Sequence, residues 1–323
     1  MHPQPPFTLV VHGGAGTIRR SEMTAELEAG YHAGLRRALL AGQQVLAAGG
    51  TALDGVTEAV VVLEDDPLFN AGRGAVFTAS GEIEHDAAVM DGRDRAAGAV
   101  TAICGPRNPV RAARAVLAHS SAVLLEGAGA ISFCREQGIA FEEPAYFHTE
   151  RRWQALQDEL RRRQSGAPDD RDDSDRHGTV GAVALDQQGN LAAATSTGGM
   201  TAKPPGRVGD TPIFGAGTWA RNGVCAVSAT GSGEYFVRQG SGHELDARLR
   251  LGGQQLEAAA TAVIEELAAD GGDGGLIAVD SAGNIALPLN CQGMYRGVVR
   301  GHEAPRTAIY ADEQLRAAEG EVK

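Results

Sequence analysis

The run His177-Gly178-Thr179-Val180-Gly181-Ala182-Val183-Ala184-Leu185 decides how this chain folds, because a charge-rich stretch ends in it and an apolar strand begins. The residues before it, from about Glu159 to His177, read ELRRRQSGAPDDRDDSDRH. They offer almost nothing to bury and predict a mobile linker. Val180 to Leu185 has the length and apolar character of a buried strand. Thr179 is therefore expected at the rigid end of a sheet with a loose tail in front of it. A threonine hydroxyl is a weak nucleophile that needs a base beside it. A cut before Thr179 would supply one, since a free α-amine titrates at about 7.7–8.0. Gly178 tolerates backbone angles that would let its carbonyl swing towards that hydroxyl. Read alone, a Gly-Thr pair is only a β-branched residue opening a strand, so the decision rests on its surroundings.

Downstream lie three polar clusters bordered by glycine. Thr195-Ser196-Thr197-Gly198-Gly199 ends the hairpin that Thr179 begins, and an antiparallel return would bring Thr197 back beside Thr179. It reads equally as a hydroxyl-rich strand end bonding its own backbone. In Pro204-Pro205-Gly206-Arg207-Val208-Gly209-Asp210, opposite charges three residues apart suit a zwitterion, guanidinium to carboxylate and carboxylate to ammonium. On its own this is also a surface ion pair worth at most about 1 kcal/mol. In Ala229-Thr230-Gly231-Ser232-Gly233-Glu234, backbone N–H groups and the Thr230 hydroxyl could cradle an oxyanion, or the segment is a bare strand-to-helix turn. Neither a Walker-type loop nor a Rossmann fingerprint is present. Nucleophile, anchor, clamp and oxyanion donors in this order favour amide hydrolysis of a small amino-acid-like substrate.

Upstream, Thr8 to Val11 reads as a strand entering the loop His12-Gly13-Gly14-Ala15-Gly16. Met23, Leu27, Tyr31, Leu35 and Leu39 mark one face of a long helix, ended by Gly49-Gly50. Thr51 with Asp54 resembles a capping box for a second helix, closed by Pro67. A hairpin-rich stretch is expected from Asn70 to Met90, a strand near Ala99 to Ile103, and a helix capped by Asn108 with Pro109 at its first position. Helices are expected through Val116, Phe133 and Leu156. The segments Val183–Ala192 and Ile277–Ala286 echo each other, two strands around an Asp-x-x-Gly-Asn turn. Antiparallel sheet covered by long amphipathic helices follows. His12 and His85 read as hydrogen-bonded structural residues, and Glu234 as a carboxylate satisfying N–H groups at a helix start.

The 323 residues carry a net charge of −12, with 43% hydrophobic and 22% charged residues, and allow one large α/β domain or two smaller ones. The acidic balance and the lack of a basic cluster with aromatics argue against nucleic acid. No apolar stretch approaches the length of a membrane span. The beginning, Met1 to Pro6, lacks the pattern of a secretory signal. Four scattered cysteines, Cys104, Cys134, Cys225 and Cys291, show no metal-type spacing and read as isolated buried thiols of a reducing cytoplasm.

These residues are recognisable together. HGTVGAVALD, TSTGGMTAKPPGRVGD and ATGSGE closely resemble the plant-type L-asparaginase/isoaspartyl aminopeptidase family of N-terminal nucleophile hydrolases, as do VVHGGAG, LEDDPLFNAGRGAVFTASGEIEHDAAVMDG, AGAV and GGLIAVDSAGNIALPLNCQGMYR. The resemblance implies a single domain with a four-layer αββα sandwich of two antiparallel sheets flanked by helices. It implies self-cleavage between Gly178 and Thr179 into an α subunit (1–178) and a β subunit (179–323), assembled as a dimer of heterodimers. Carried over by position, Thr179 is nucleophile and base, Thr197 positions it, and Asn70 approaches it from the α subunit. Arg207 takes the substrate α-carboxylate and Asp210 its α-ammonium. Thr230 and Gly231 form the oxyanion hole, with a backbone contact from Gly233. The main-chain carbonyls of Leu63, Glu64, Asp66, Phe69, Ala71 and Arg73 match the family's loop for a structural sodium, or potassium, ion, and no organic cofactor is implied. The implied activity is hydrolysis of L-asparagine and β-aspartyl dipeptides. The nearest alternative is glycosylasparaginase-type cleavage of GlcNAc-asparagine.

Overall fold

The computed structural model describes residues 7–166 and 178–318. Strand β5 (Val180–Leu185) shows why the chain layers as it does. Val180, Ala182 and Ala184 enter one apolar core, while Val183 and Leu185 enter another. The same alternation splits β1 (Thr8–Gly16), where Leu9 and Val11 face the first core and Val10 the second, and β6 (Leu191–Thr197), where Ala192 and Ala194 oppose Leu191 and Ala193. A sheet whose strands are apolar on both faces must be covered twice.

One cover is helical. Helices α1 (Ala25–Ala47) and α2 (Ala52–Asp65) pack on each other and on the sheet, and α3 (Pro109–His119) lies over β2 (His85–Asp91) and β3 (Ala97–Ile103). The other cover is a second sheet of β7 (Thr218–Arg221), β8 (Cys225–Gly231), β9 (Gly274–Asp280) and β10 (Ile285–Ala286). Its far face is closed by α7 (Gly233–Gln239), α8 (Ser241–Arg250) and α9 (Leu256–Ala269). The result is helix, sheet, sheet, helix, as expected.

With β4 (Leu124–Glu126), β11 (Gly293–Arg300) and β12 (Arg306–Tyr310), the large sheet runs β12-β11-β1-β5-β6-β2-β3-β4, and the small one β10-β9-β8-β7. The expectation of purely antiparallel sheets needs one correction, because β4 joins the edge parallel to β3. The echoed turns are real. Asp186 Oδ1 accepts from the N–H groups of Gln188 and Asn190, and Asp280 Oδ1 from those of Ala282 and Asn284. They serve different sheets.

Three further expectations change. The stretch from Asn70 is no series of hairpins: a 3-10 turn at Gly72–Gly74 and an irregular loop precede the single strand β2. Asn108 stands at the N-cap of α3 with Pro109 after it, as expected, but its side chain makes no capping hydrogen bond. Its amide donates to Asp65, and the Glu64 carboxylate accepts from Val110 N–H instead. Helix α6 (Glu150–Ser165) carries the chain past the expected start of the linker, because Glu159 is buried and paired with Arg162 and Arg163, and Leu156 packs on Phe77 and Ala202. The remainder of the expected linker, 167–177, lies outside the described residues. Two short helices, α4 (Gly127–Glu136) and α5 (Pro144–Phe147), complete this half.

Candidate active site

Thr179 immediately precedes β5, in the middle of the large sheet, and is 6% exposed. The antiparallel return of β6 brings Thr197 to it, and the Thr179 hydroxyl donates to Thr197 Oγ1 at 3.2 Å. Thr197 Oγ1 in turn donates to the Gly178 carbonyl at 2.9 Å and accepts from Gly199 N–H at 2.9 Å. Asn70 reaches the same carbonyl from the loop after α2, its Nδ2 donating to Gly178 O at 2.8 Å and to Gly199 O at 2.7 Å. Val76 N–H holds the other end of the Asn70 amide, which fixes its orientation. The carbonyl carbon next to the Thr179 hydroxyl is thus polarised by two donors in a buried setting, where such bonds are strongest.

The glycine-rich part of β1 forms the facing wall. A bulge between His12 and Ala15 presses Gly14 against Gly178, so that a Cβ at Gly14 would lie 3.2 Å from Gly178 Cα. Ala15 N–H then donates to Thr230 Oγ1 at 3.2 Å, tying the third polar cluster to the wall that faces Gly178. Gly231, at φ 143°, and Gly274 approach so closely that neither has room for a side chain.

Gly199 joins this centre to the Arg207/Asp210 pair. The point a Gly199 Cβ would occupy is 3.5 Å from Arg207 Nη1. Likewise a Cβ on Gly233 would lie 2.7 Å from Asp210 Oδ1 and 3.3 Å from Arg207 Nη2, so glycine there lets both charged groups face one space. Asp210 is buried, its Oδ2 has no hydrogen-bond partner among the described residues, and burial pushes its carboxyl up to about 7. A buried carboxylate oxygen without a donor suits a cationic ligand group. Arg207 is not free: its Nε and Nη2 donate to Glu234 at 2.9 and 3.1 Å. Glu234, expected as a carboxylate at a helix start, thus orients the guanidinium and leaves the Nη1 side turned towards Gly199.

Behind β5 runs a hydroxyl chain that the sequence did not reveal. His12 Nε2 bonds Ser228 Oγ at 2.8 Å, Ser228 bonds Thr195 Oγ1 at 2.8 Å, and Thr218 Oγ1 donates to Thr195 Oγ1 at 2.7 Å. Burial lowers His12 to about 3, so it is a neutral structural imidazole, as expected. His85 differs from expectation: it is buried against Phe147 with neither ring nitrogen bonded among the described residues. Cys104 is also unlike the buried thiol expected, being exposed.

In the loop 63–74, the carbonyls of Leu63, Asp66 and Ala71 accept loop N–H groups, and those of Glu64 and Phe69 crowd the bare faces of Gly72 and Gly74. The Asp66 carboxylate pairs with Arg37, and the Arg73 guanidinium lies over Tyr146. Among the described residues no cluster of His, Cys, Asp or Glu is arranged to hold a metal, and no helix is long and apolar enough to cross a membrane.

The order and packing of these groups can be set beside known proteins. The chain is 49% identical over 310 residues to an isoaspartyl peptidase of Salmonella typhimurium, covering 94% of this chain and 98% of that protein. It is 48% identical over 314 residues to an isoaspartyl peptidase of Escherichia coli, covering 94% and 96%. To a plant-type L-asparaginase of Pyrococcus abyssi it is 40% identical over 310 residues, covering 93% and 99%. A family model described as asparaginase matches residues 5–309, which takes in every wall of the site just built, and the chain belongs to that family.

Proposed function

We propose that this chain is an autoprocessed amidohydrolase acting on the side-chain amide of L-asparagine and on β-aspartyl dipeptides. The observation that carries the proposal is the Gly178 carbonyl oxygen, held by Asn70 Nδ2 and Thr197 Oγ1 beside the Thr179 hydroxyl. In the first reaction Thr179 Oγ1 attacks the Gly178 carbonyl carbon. The oxyanion is stabilised by those two donors, and the peptide nitrogen leaves as the amine of Thr179. Water then hydrolyses the resulting ester and separates residues 1–178 from 179–323.

The freed amine becomes the base for the second reaction. Arg207 holds the substrate α-carboxylate and Asp210, with its open oxygen, the α-ammonium. Thr179 attacks the β-carbonyl, while Thr230 Oγ1 and Gly231 N–H take the developing charge, with Gly233 at the clamp. Ammonia or an amino acid leaves, and water releases L-aspartate from the threonyl ester. Both substrates present one zwitterionic head, so one pocket serves both.

The same reading includes a dimer of αβ heterodimers, a cytoplasmic protein with unpaired cysteines, and a sodium or potassium ion on the carbonyls of residues 63–73, stiffening the loop that carries Asn70. Intact mass spectrometry tests the proposal. Two polypeptides are expected, the second starting at Thr179, together with turnover of asparagine and β-aspartyl dipeptides in preference to GlcNAc-asparagine. Thr179→Ala should remain a single inactive chain. A cleaved, active Thr179→Ala protein would end the proposal.

A further inference from the structure

Lys203 is the one charged side chain among the largest fully buried ones, at 1% exposure. Its backbone ties the loop that follows β6 to the segment before β2, with Ala79 N–H donating to Lys203 O at 3.0 Å and Ala202 N–H to Phe77 O at 2.8 Å. Its ammonium has no hydrogen-bond partner in the described residues and meets one carboxylate, Glu84, at 3.4 Å. An ammonium so poorly compensated is costly to bury, and a tether between two loops does not require it.

The ammonium's position gives it a use. The point where Gly199 would carry a Cβ lies 3.5 Å from Lys203 Nζ and 3.5 Å from Arg207 Nη1. Two cations thus flank one small glycine-floored space, on the side of Arg207 that Glu234 leaves open. Near it also lie His85, kept neutral by burial, and Cys104, an exposed residue whose thiol is raised chiefly by desolvation; neither cancels the charge.

We propose that Lys203 is a positioning residue for substrate: its buried ammonium adds a second positive charge behind Arg207 and sets the affinity for the substrate α-carboxylate. The inference rests on the assignment of Arg207 to that carboxylate. Lys203 does not touch the reacting atoms, so its charge acts on binding and leaves the chemical step alone.

Steady-state kinetics of the processed enzyme on asparagine test this with three variants. Lys203→Met keeps the aliphatic stem and removes the charge; KM is expected to rise at least five-fold with kcat within two-fold of the parent. Inhibition by L-aspartate should weaken in parallel, while inhibition by its α-amide, which lacks that carboxylate, should not. Glu84→Gln removes the opposing negative charge at a partly exposed position, and its KM should stay level or fall. A tether would behave otherwise, with KM rising in both variants, and that result overturns the proposal. So does a Lys203→Met enzyme with unchanged KM. If Lys203→Met does not fold, the direction of the Glu84→Gln effect decides. Arg207→Ala separates the two levels: an unchanged KM there refutes the carboxylate assignment itself, whereas a raised KM beside an unaffected Lys203→Met refutes only the role of Lys203.

Discussion

Asp210 carries an ionisable group where solvent cannot help it. Burial raises its carboxyl to about 7, and one oxygen lacks a donor among the described residues. As pH falls through that value the group takes a proton and loses its pull on an ammonium, so inhibition by L-aspartate should weaken progressively below pH 7. The stability consequence has the opposite sense. With a folded pKa above the unfolded one, stability declines as pH rises from about 4 to 7, because the unfolded chain releases its proton first. Asp210→Asn should therefore bind substrate poorly yet be more stable than the parent at pH 8, on the order of 1–3 kcal/mol, with the difference vanishing near pH 4. Urea unfolding at both pH values checks it. Glu234 makes a milder case. Its two bonds hold the Arg207 guanidinium in one orientation. Glu234→Gln should raise KM for asparagine about five-fold at unchanged kcat, the scale of a lost charge-assisted bond of about 1 kcal/mol.

Among the elements, β5 tolerates little change. Gly181 faces His12 and Ser228, and a methyl group there would overlap both. Gly181→Ala should cost about 1–3 kcal/mol and slow or abolish processing, read by denaturant unfolding and by the fraction of chain cut. At the start of α2, Thr51 Oγ1 accepts from Asp54 N–H at 3.1 Å, so Thr51→Ala should lower stability by about 1 kcal/mol without changing KM. That cap was legible in the sequence, as were β5, β6 and α1, because each is written in local periodicity and local capping chemistry. The strand-return argument also placed Thr197 correctly. What escaped was set by register between distant segments. Neither the partner of His12, which is 216 residues away, nor the pairing of Glu234 with Arg207 follows from spacing along the chain. The extent of α6 escaped for a related reason: Glu159 looked like part of a solvated charge run until tertiary packing buried it.

Across the whole molecule, the large sheet is shared between the two proposed subunits. Strand β1 lies between β11 and β5, and β6 lies against β2, so the strands before and after Thr179 interleave. Residues 179–323 hold the whole four-stranded sheet, but neither portion holds the large sheet or a complete core by itself. Residues 1–178 and 179–323 produced separately are expected to lack stable tertiary structure, seen as a weak near-UV circular dichroism signal and rapid proteolysis. The processed protein should migrate as one species on gel filtration despite the broken backbone.

That interleaving turns the scission at Thr179 into a one-way gate in the life of the molecule. Before it, assembly is a unimolecular search, with both pieces held at the high effective concentration of a shared backbone. After it, an enzyme denatured and returned to buffer must find its partner by collision. Recovery should then scale with protein concentration, while the uncut Thr179→Ala chain recovers at a rate indifferent to dilution.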